Sequence, residues 1–188
     1  HWLSFINGYA ISVGITTVTL FMVHGAIYLT MKTSGKLFLK ATRFVNRSIV
    51  LFIIAFIVTT IYSLIELRHL KTRFDDNPWL YVVPVLSFLC IANIPRLVSK
   101  RQYMGAFIFS ALTMSFLLIL VAIQLFPILL YSTDPDANHL TIYDAAASQK
   151  SLGIMLTFAA IGIPLVLSYT FFVYKTFWGK VQMDEMSY

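Results

Sequence analysis

Charged residues are missing from five long stretches of this 188-residue chain. The uncharged stretches are residues 1–31, 48–65, 77–95, 102–133 and 151–174. An apolar helix of about 20 residues crosses the roughly 30 Å hydrocarbon layer of a bilayer. Only helices and closed barrels satisfy every backbone group there, and these stretches show no two-residue alternation. We therefore predict an all-α integral membrane helical bundle with five transmembrane helices. Four are expected to form the bundle and one to lie at its periphery.

Carboxylates are also missing from membrane depth. Glu66 stands at the end of the second uncharged stretch. The acidic residues expected in loops are Asp75, Asp76, Asp134, Asp136 and Asp144. Membrane pumps and proton-relaying enzymes hold ionisable groups inside the bilayer. This chain by itself therefore offers no intramembrane carboxylate for proton relay or cation binding. Asp144 is expected to cap a short helix through residues 145–147 at the membrane surface, rather than to act in catalysis.

A single cysteine, Cys90, lies within the third uncharged stretch. It excludes an intrachain disulfide and a Cys-based metal site, and we expect it to be a small core residue. The sequence also contains no Gly-rich phosphate loop, nucleophile elbow or zinc-binding His pair. We therefore predict no catalytic, cofactor-binding or metal-binding residue in this chain.

The expected spans are residues 8–30, 48–67, 79–95, 103–130 and 151–174, within one membrane domain of residues 1–188. Between the first two spans, apolar and basic residues alternate at near-helical spacing over residues 37–45. This segment is expected to lie in the membrane interface before the chain turns into the second span. Pro84, Pro127 and Pro164 are expected to kink the helices that contain them.

His24 is the one ionisable residue placed well inside a predicted span. It could ligate a haem, relay a proton or bind a quinone, or it could be a neutral histidine paired with neighbouring helices. We favour the neutral, paired state, because bis-histidine ligation needs a second intramembrane histidine. The other histidines lie at the terminus or in expected loops: His1, His69 and His139. Pairing of His24 with Met114 or Met155 stays open.

Basic residues set the expected orientation. The net charge of +6 could suggest nucleic acid, but the basic residues abut membrane spans. Ten of the 14 basic residues fall in the first and third gaps and after the last span, and four fall in the second and fourth gaps. Because the side with more basic residues faces the cytoplasm, residue 1 is expected outside and the C-terminus inside. The chain starts at His1 and lacks an initiator Met, so we expect a processed product or a piece of a longer protein.

Three separated segments resemble a known family. They are NGYAISVGITTVTLFMVHGAIYLTMKTSGKL, NPWLYVVPVLSFLCIAN and LFPILLYSTDPDANHLTIYDAAASQKSLGIMLTFAAIGIPLVLSYTFFVYKTFWGKV. The first is similar to the fifth membrane helix and following loop of subunit II of cytochrome bd-type quinol oxidases. The second is similar to a later helix of that subunit, and the third to its C-terminal stretch. The resemblance covers essentially all 188 residues, in register.

The resemblance implies a role as a haem-free accessory subunit. It is limited to the second half of subunit II, whose first half bears the membrane-embedded acidic residues assigned to proton supply. In the family, subunit I carries the b- and d-type haems and the quinol-oxidising loop. We therefore expect a non-catalytic subunit segment that packs against subunit I in a bacterial or archaeal cytoplasmic membrane, with membrane lipid as a neighbour and quinone as a further candidate. The alternatives are a small transporter or channel-like protein and, through His24, a self-standing b-type cytochrome.

Overall fold

The computed structural model describes residues 7–66, 74, 77–130, 132, 138–177 and 179. Five helices in this part are long and apolar enough to cross a membrane, which confirms the all-α membrane class. The elements in chain order are α1 (Gly8–Lys32), α2 (Gly35–Glu66), a 3₁₀ helix (Pro78–Tyr81), α3 (Val82–Ser99), α4 (Tyr103–Leu125), β1 (Ile128–Leu130), β2 (Leu140–Thr141) and α5 (Gln149–Thr176). The predicted first and last spans agree with α1 and α5 to within two residues at each end.

The chain forms two compact units, and the hydrophobic core belongs to the first. The first unit contains α1 to α3 and α4 up to residue 121, and the second contains residues 122–179. The core cluster consists of Leu20, Val23, Ala26, Ile27, Val45, Ile49, Phe52, Ile91, Ile94, Val98 and Ala106. These residues recur every three or four positions on each helix, which places them on one face. Cys90 is buried with them, as predicted.

A short turn joins α1 and α2 into an antiparallel hairpin. The Asn7 side chain caps the start of α1 by accepting a hydrogen bond from the Ala10 amide at 2.7 Å. At the other end, Gly35 adopts a φ of +59°, which glycine tolerates because it has no Cβ. The chain can therefore reverse within the residues between Lys32 and Gly35 and start the second helix at once.

The second span is longer than predicted. We expected an interfacial segment over residues 37–45 that turns into a span beginning at Ser48. Instead, α2 is one continuous helix of 32 residues from Gly35 to Glu66. The apolar residues of the basic segment share their buried face with the span that follows, since Ala41 and Val45 are both in the core. Continuous packing on one face favours an unbroken helix over a turn. The predicted last residue of this span, Leu67, lies outside the described residues.

The fourth span is shorter than predicted, because α4 ends at Leu125 rather than at Leu130. Proline lacks a backbone N–H and disfavours helical geometry in the residue before it. Pro127 therefore ends the helix rather than kinking it. The chain then forms β1, which pairs antiparallel with β2, and the Pro127 carbonyl accepts a hydrogen bond from the Ile142 amide at 2.8 Å.

Proline has milder effects in the other helices. Pro84 lies in the first turn of α3, where a backbone N–H has no partner inside the helix, so it costs little. The predicted third span ended at Pro95, but α3 continues to Ser99. Ile94 and Val98 on either side are buried in the core, and their packing holds the helix together across the proline.

Helix α5 runs through Pro164 without interruption and begins at a capping serine. The Ser148 hydroxyl accepts a hydrogen bond from the Ser151 amide at 3.3 Å. None of the side chains of α5 is buried. The apolar surface of such a helix is expected to contact lipid or another protein, because its exposure to water is unfavourable.

The prediction for Asp144 was wrong. Residues 145–148 are not helical, and Ser148 rather than Asp144 caps the helix that follows. The Asp144 carboxylate instead accepts hydrogen bonds from the Thr141 hydroxyl at 2.6 Å and the Thr141 amide at 3.2 Å. Short polar side chains often close such local turns in competition with helix formation. The Thr141 hydroxyl, followed by the Thr141 amide, lowers the pKa of Asp144 below its ordinary value of 3.8.

This turn should respond to acid. Because the folded pKa of Asp144 is lower than the unfolded pKa, the turn is fully stabilised above the unfolded value and loses that stabilisation as pH falls through the folded pKa. Replacement of Thr141 with Val should raise the Asp144 pKa towards its ordinary value. Carboxyl chemical shifts followed by NMR against pH measure this change. The control is Thr157→Val in α5, whose hydroxyl bonds the Gly153 carbonyl at 2.9 Å. Equal Asp144 pKa values in the Thr141 variant and the parent would contradict the assignment.

Candidate functional site

His24 lies at the contact between α1 and α4. Its side chain is half-buried, and Nδ1 lies 2.7 Å from the hydroxyl oxygen of Ser110. Ser110 is fully buried on α4, so this hydrogen bond joins two helices that are 86 residues apart at this point in the sequence. The favoured interpretation from sequence was a histidine paired with a neighbouring helix, and the geometry agrees with it.

The hydrogen bonds around Ser110 bear on the proton positions of His24. The Ser110 hydroxyl oxygen lies 2.8 Å from the Phe107 carbonyl and 2.7 Å from His24 Nδ1. A serine hydroxyl has one proton, and when it donates that proton to the carbonyl, its oxygen accepts a hydrogen bond from His24 Nδ1–H. In the neutral ring, Nε2 then carries the lone pair. The site can therefore accept one further hydrogen bond, or provide one ligand to a metal, through Nε2.

Aromatic rings line one side of this histidine. The Phe107 ring stacks on the imidazole with a centroid distance of 4.3 Å and an interplanar angle of 27°. Tyr28, one turn further along α1, lies 6.0 Å from the same phenylalanine ring. One turn beyond that, the Lys32 ammonium lies 6.0 Å from the centre of the Tyr28 ring, within the range of a cation–π contact. The side chains of His24, Tyr28 and Lys32 thus lie one turn apart on the same side of α1, and Lys32 is the last residue of the helix.

Most buried polar groups of the first unit are hydroxyls that bond to their own helix. Thr30 donates to the Ile27 carbonyl at 2.6 Å, and Ser87 to the Val83 carbonyl at 2.8 Å. Such bonds satisfy a hydroxyl in an apolar core without a partner helix. The hydroxyl of Ser48, which is 2% exposed, has no hydrogen-bond partner.

Two contacts between hydroxyls link α1 to α2. The Thr16 and Thr59 hydroxyl oxygens lie 2.8 Å apart, and those of Tyr9 and Ser63 lie 3.4 Å apart. Small polar residues at helix contacts in membranes allow close approach and add interhelical hydrogen bonds. These residues bring the hairpin together but contribute no titrating group.

The other candidate ligands that the structure describes lie in different elements of the chain. Met114 packs against the core of the first unit, and Met155 is an exposed residue of α5. His139 accepts a hydrogen bond from the Ser132 amide at 3.1 Å in the loop of the second unit. His1 and His69 lie outside the described residues. Among the described residues, no group of three or more His, Cys, Asp or Glu side chains could hold a metal ion.

His24 is a helix residue of the first unit, and His139 is a loop residue of the second. Around His24 the structure shows an imidazole whose Nδ1 contacts one hydroxyl and whose ring stacks on Phe107. The partners of His24 were missed by sequence reasoning, because neither Ser110 nor Phe107 belongs to a motif. A serine within an otherwise apolar helix was the only available signal.

Comparison with known proteins gives the family. The family model described as "Cytochrome bd terminal oxidase subunit II" matches residues 1–177. The chain is 25% identical to "Probable cytochrome oxidase subunit 2" of Haemophilus influenzae, over 95% of this chain and 54% of that protein. It is 22% identical to "Cytochrome bd-I ubiquinol oxidase subunit 2" of Escherichia coli K12, over 99% of this chain and 56% of that protein. Identity to "Cytochrome bd ubiquinol oxidase subunit 2" of Bacillus subtilis is 25%, over 98% and 54% respectively.

The chain thus spans about half the length of the curated relatives it matches. The family match covers α1 to α5 and the two short strands between them. It agrees with a multi-pass membrane protein. With a family match over residues 1–177, the chain belongs to the cytochrome bd terminal oxidase subunit II family.

Proposed function

We propose that this chain is a haem-free subunit segment of a cytochrome bd-type quinol:oxygen oxidoreductase and corresponds to the C-terminal half of subunit II. The observation that carries the proposal is the family match over residues 1–177. In the complete enzyme, quinol would be oxidised and oxygen reduced to water. The b- and d-type haems would be bound by subunit I, in a bacterial or archaeal cytoplasmic membrane.

The proposed role of this chain is to pack against the haem-bearing subunit. Its helices expose large apolar side chains over much of their surface, including Leu118 at 69% and Phe158 at 73%. Such surfaces can be covered by lipid chains or by a second membrane protein. A subunit held by apolar packing needs no catalytic group of its own, which agrees with an interior of the first unit that consists of apolar side chains and hydroxyls.

Orientation is part of the proposal. The first unit supports it, because Phe38 of α2 packs edge-on against Tyr103 of α4 at a centroid distance of 5.7 Å. The turn before α2 and the turn before α4 therefore lie at the same end of the unit. Lys32 and Lys36 flank the first turn, and Lys100 and Arg101 lie in the second. A basic excess at one end faces the cytoplasm.

Association with a larger partner is the first test. A tagged form of this chain, expressed from its natural gene and extracted in mild detergent, should co-purify with a larger membrane protein that shows haem absorbance. The physical reason for this association is that the exposed apolar faces of the helices are covered when they pack against another membrane protein. Purification of the endogenous protein as a stable haem-free monomer, together with unchanged quinol oxidation after its deletion, would contradict the proposal.

Replacement of His24 by Gln tests the absence of haem ligation. Glutamine keeps a side-chain amide that can donate to Ser110, so the assembled enzyme should retain its haem spectrum. Ser110→Ala is the control, because it removes the hydrogen bond between the two helices and leaves the imidazole in place. It should lower stability by about 1 kcal/mol, and His24→Gln should lower it less. Loss of one haem band in the assembled His24→Gln enzyme, with the spectrum of Ser110→Ala intact, would identify His24 as a ligand.

Cysteine labelling tests the orientation. Cys90 is buried and can be replaced by Ser, after which single cysteines are introduced at the exposed positions Asn138 and Ser34. A membrane-impermeant thiol reagent applied to intact cells should label the cysteine at position 138 and leave that at position 34 unlabelled. Labelling of both positions after permeabilisation confirms that each is accessible. The reverse pattern in intact cells would invert the orientation.

A further inference from the structure

One exposed face of α2 carries only basic side chains in its first part and only branched aliphatic side chains in the rest. At about 100° per residue, nine side chains fall within a single narrow sector of the helix. They are Lys36, Lys40, Arg43, Arg47, Val50, Ile54, Val58, Ile61 and Ile65. All nine are exposed, and the core residues of the helix lie on the opposite side. The first four are basic and the last five are branched aliphatic residues, and no other residue type interrupts the sector.

We propose that this face, the α2 lipid face, binds an anionic phospholipid. Arg43 and Arg47 hold the headgroup phosphate, and the aliphatic residues from Val50 onward hold the acyl chains. The inference concerns lipid binding by this chain itself and goes beyond the subunit role proposed above.

The charge of the face requires an anionic occupant. Residues 1–65 and 77–133 contain no Asp or Glu, so the four cations have no acidic neighbour in these stretches. Arg43 and Arg47 are one helical turn, or about 6 Å, apart along the axis. Two guanidinium groups at this spacing can donate several charge-assisted hydrogen bonds to one phosphate. The phosphate of one phospholipid headgroup can therefore accept hydrogen bonds from both guanidinium groups.

The aliphatic residues next to the arginines lie within one leaflet, and the whole run from Val50 to Ile65, about 22 Å long, continues into the second leaflet. A bilayer has a hydrocarbon layer of roughly 30 Å, so one leaflet measures about 15 Å. Val50, Ile54 and Val58 extend over about 12 Å of the helix axis. The change from basic to aliphatic residues between Arg47 and Val50 therefore corresponds to the boundary between headgroup and acyl chain.

The shape of the aliphatic part favours lipid over a partner helix. Helices pack closely in membranes through small residues such as Gly, Ala, Ser and Thr. The α2 lipid face has none of them, whereas the opposite face carries the buried Ala41 and Ser48 and the partly buried Thr59. Flexible acyl chains fit between branched side chains without a small-residue groove. All the small residues named here thus lie on the packed face of α2, and none lies on the α2 lipid face.

Native mass spectrometry of the purified membrane complex tests the proposal. The complex is exchanged into nanodiscs with equal amounts of phosphatidylglycerol and phosphatidylcholine and then released. Retained lipids are counted for the parent and for Arg43→Gln/Arg47→Gln. The double variant should retain at least about fivefold less phosphatidylglycerol, since each basic residue near an anionic surface contributes about a fivefold effect. Retention of phosphatidylcholine should not change.

Lys36→Gln/Lys40→Gln is the matched control. It removes the same charge from the same face, but Lys36 lies about 10 Å from Arg43 along the axis, and Lys40, about 5 Å from Arg43, lies farther from the aliphatic part of the face than either arginine. Its retention of phosphatidylglycerol should fall clearly less than that of the arginine pair. Arg43→Lys/Arg47→Lys keeps the charge without the planar fork and should give an intermediate loss, which keeps the test informative if the Gln variant folds poorly.

Two results would overturn the proposal. Equal losses in the Arg and Lys pairs would show diffuse attraction rather than a headgroup site. Unchanged phosphatidylglycerol retention, with a co-purifying subunit lost from Arg43→Gln/Arg47→Gln, would show that the face binds protein instead of lipid.

Discussion

The structure depends on one constraint: every backbone N–H and C=O group at membrane depth must find its hydrogen-bond partner within the protein. Helices meet this requirement by themselves, so each long uncharged stretch of the chain forms one. The constraint also applies to side chains. Buried hydroxyls such as those of Thr30 and Ser87 donate to carbonyls of their own helix, and the imidazole of His24 finds the Ser110 hydroxyl. Where the chain leaves the helical pattern, after Leu125, backbone groups pair in a short two-stranded sheet instead.

The two faces of α2 differ in composition. The buried face combines the small residues Ala41 and Ser48 with the larger Val45, Ile49 and Phe52, and the exposed face described above has no small residue. Small residues at helix contacts in lipid allow close approach, because acyl chains are as apolar as leucine and the gain comes from packing. The apolar surface of α5 is exposed as well, since no side chain of that helix is buried.

Sequence reasoning predicted the number and class of the helices because absence of charge is a strong signal for a membrane span. It failed at boundaries for identifiable reasons. Hydropathy extends a span to the last apolar residue, so it passed through Pro127, where the backbone cannot continue as a helix. It also separated the basic segment over residues 37–45 from the second span, although Ala41 and Val45 continue the buried face of the same helix. For Asp144, a local helix cap and a local turn have the same sequence signal, and the turn with Thr141 prevailed.

The sequence by itself determined that this is a five-helix membrane protein of one family, because span length, charge placement and family resemblance are properties of the linear chain. Only the tertiary structure decided the partners of His24. Ser110 and Phe107 are more than 80 residues away, and nothing in their local sequence marks them as neighbours of a histidine. Only the tertiary structure separated the packing face of α2 from its exposed face. Burial depends on which helices meet, and that depends on the fit between side chains distant in sequence.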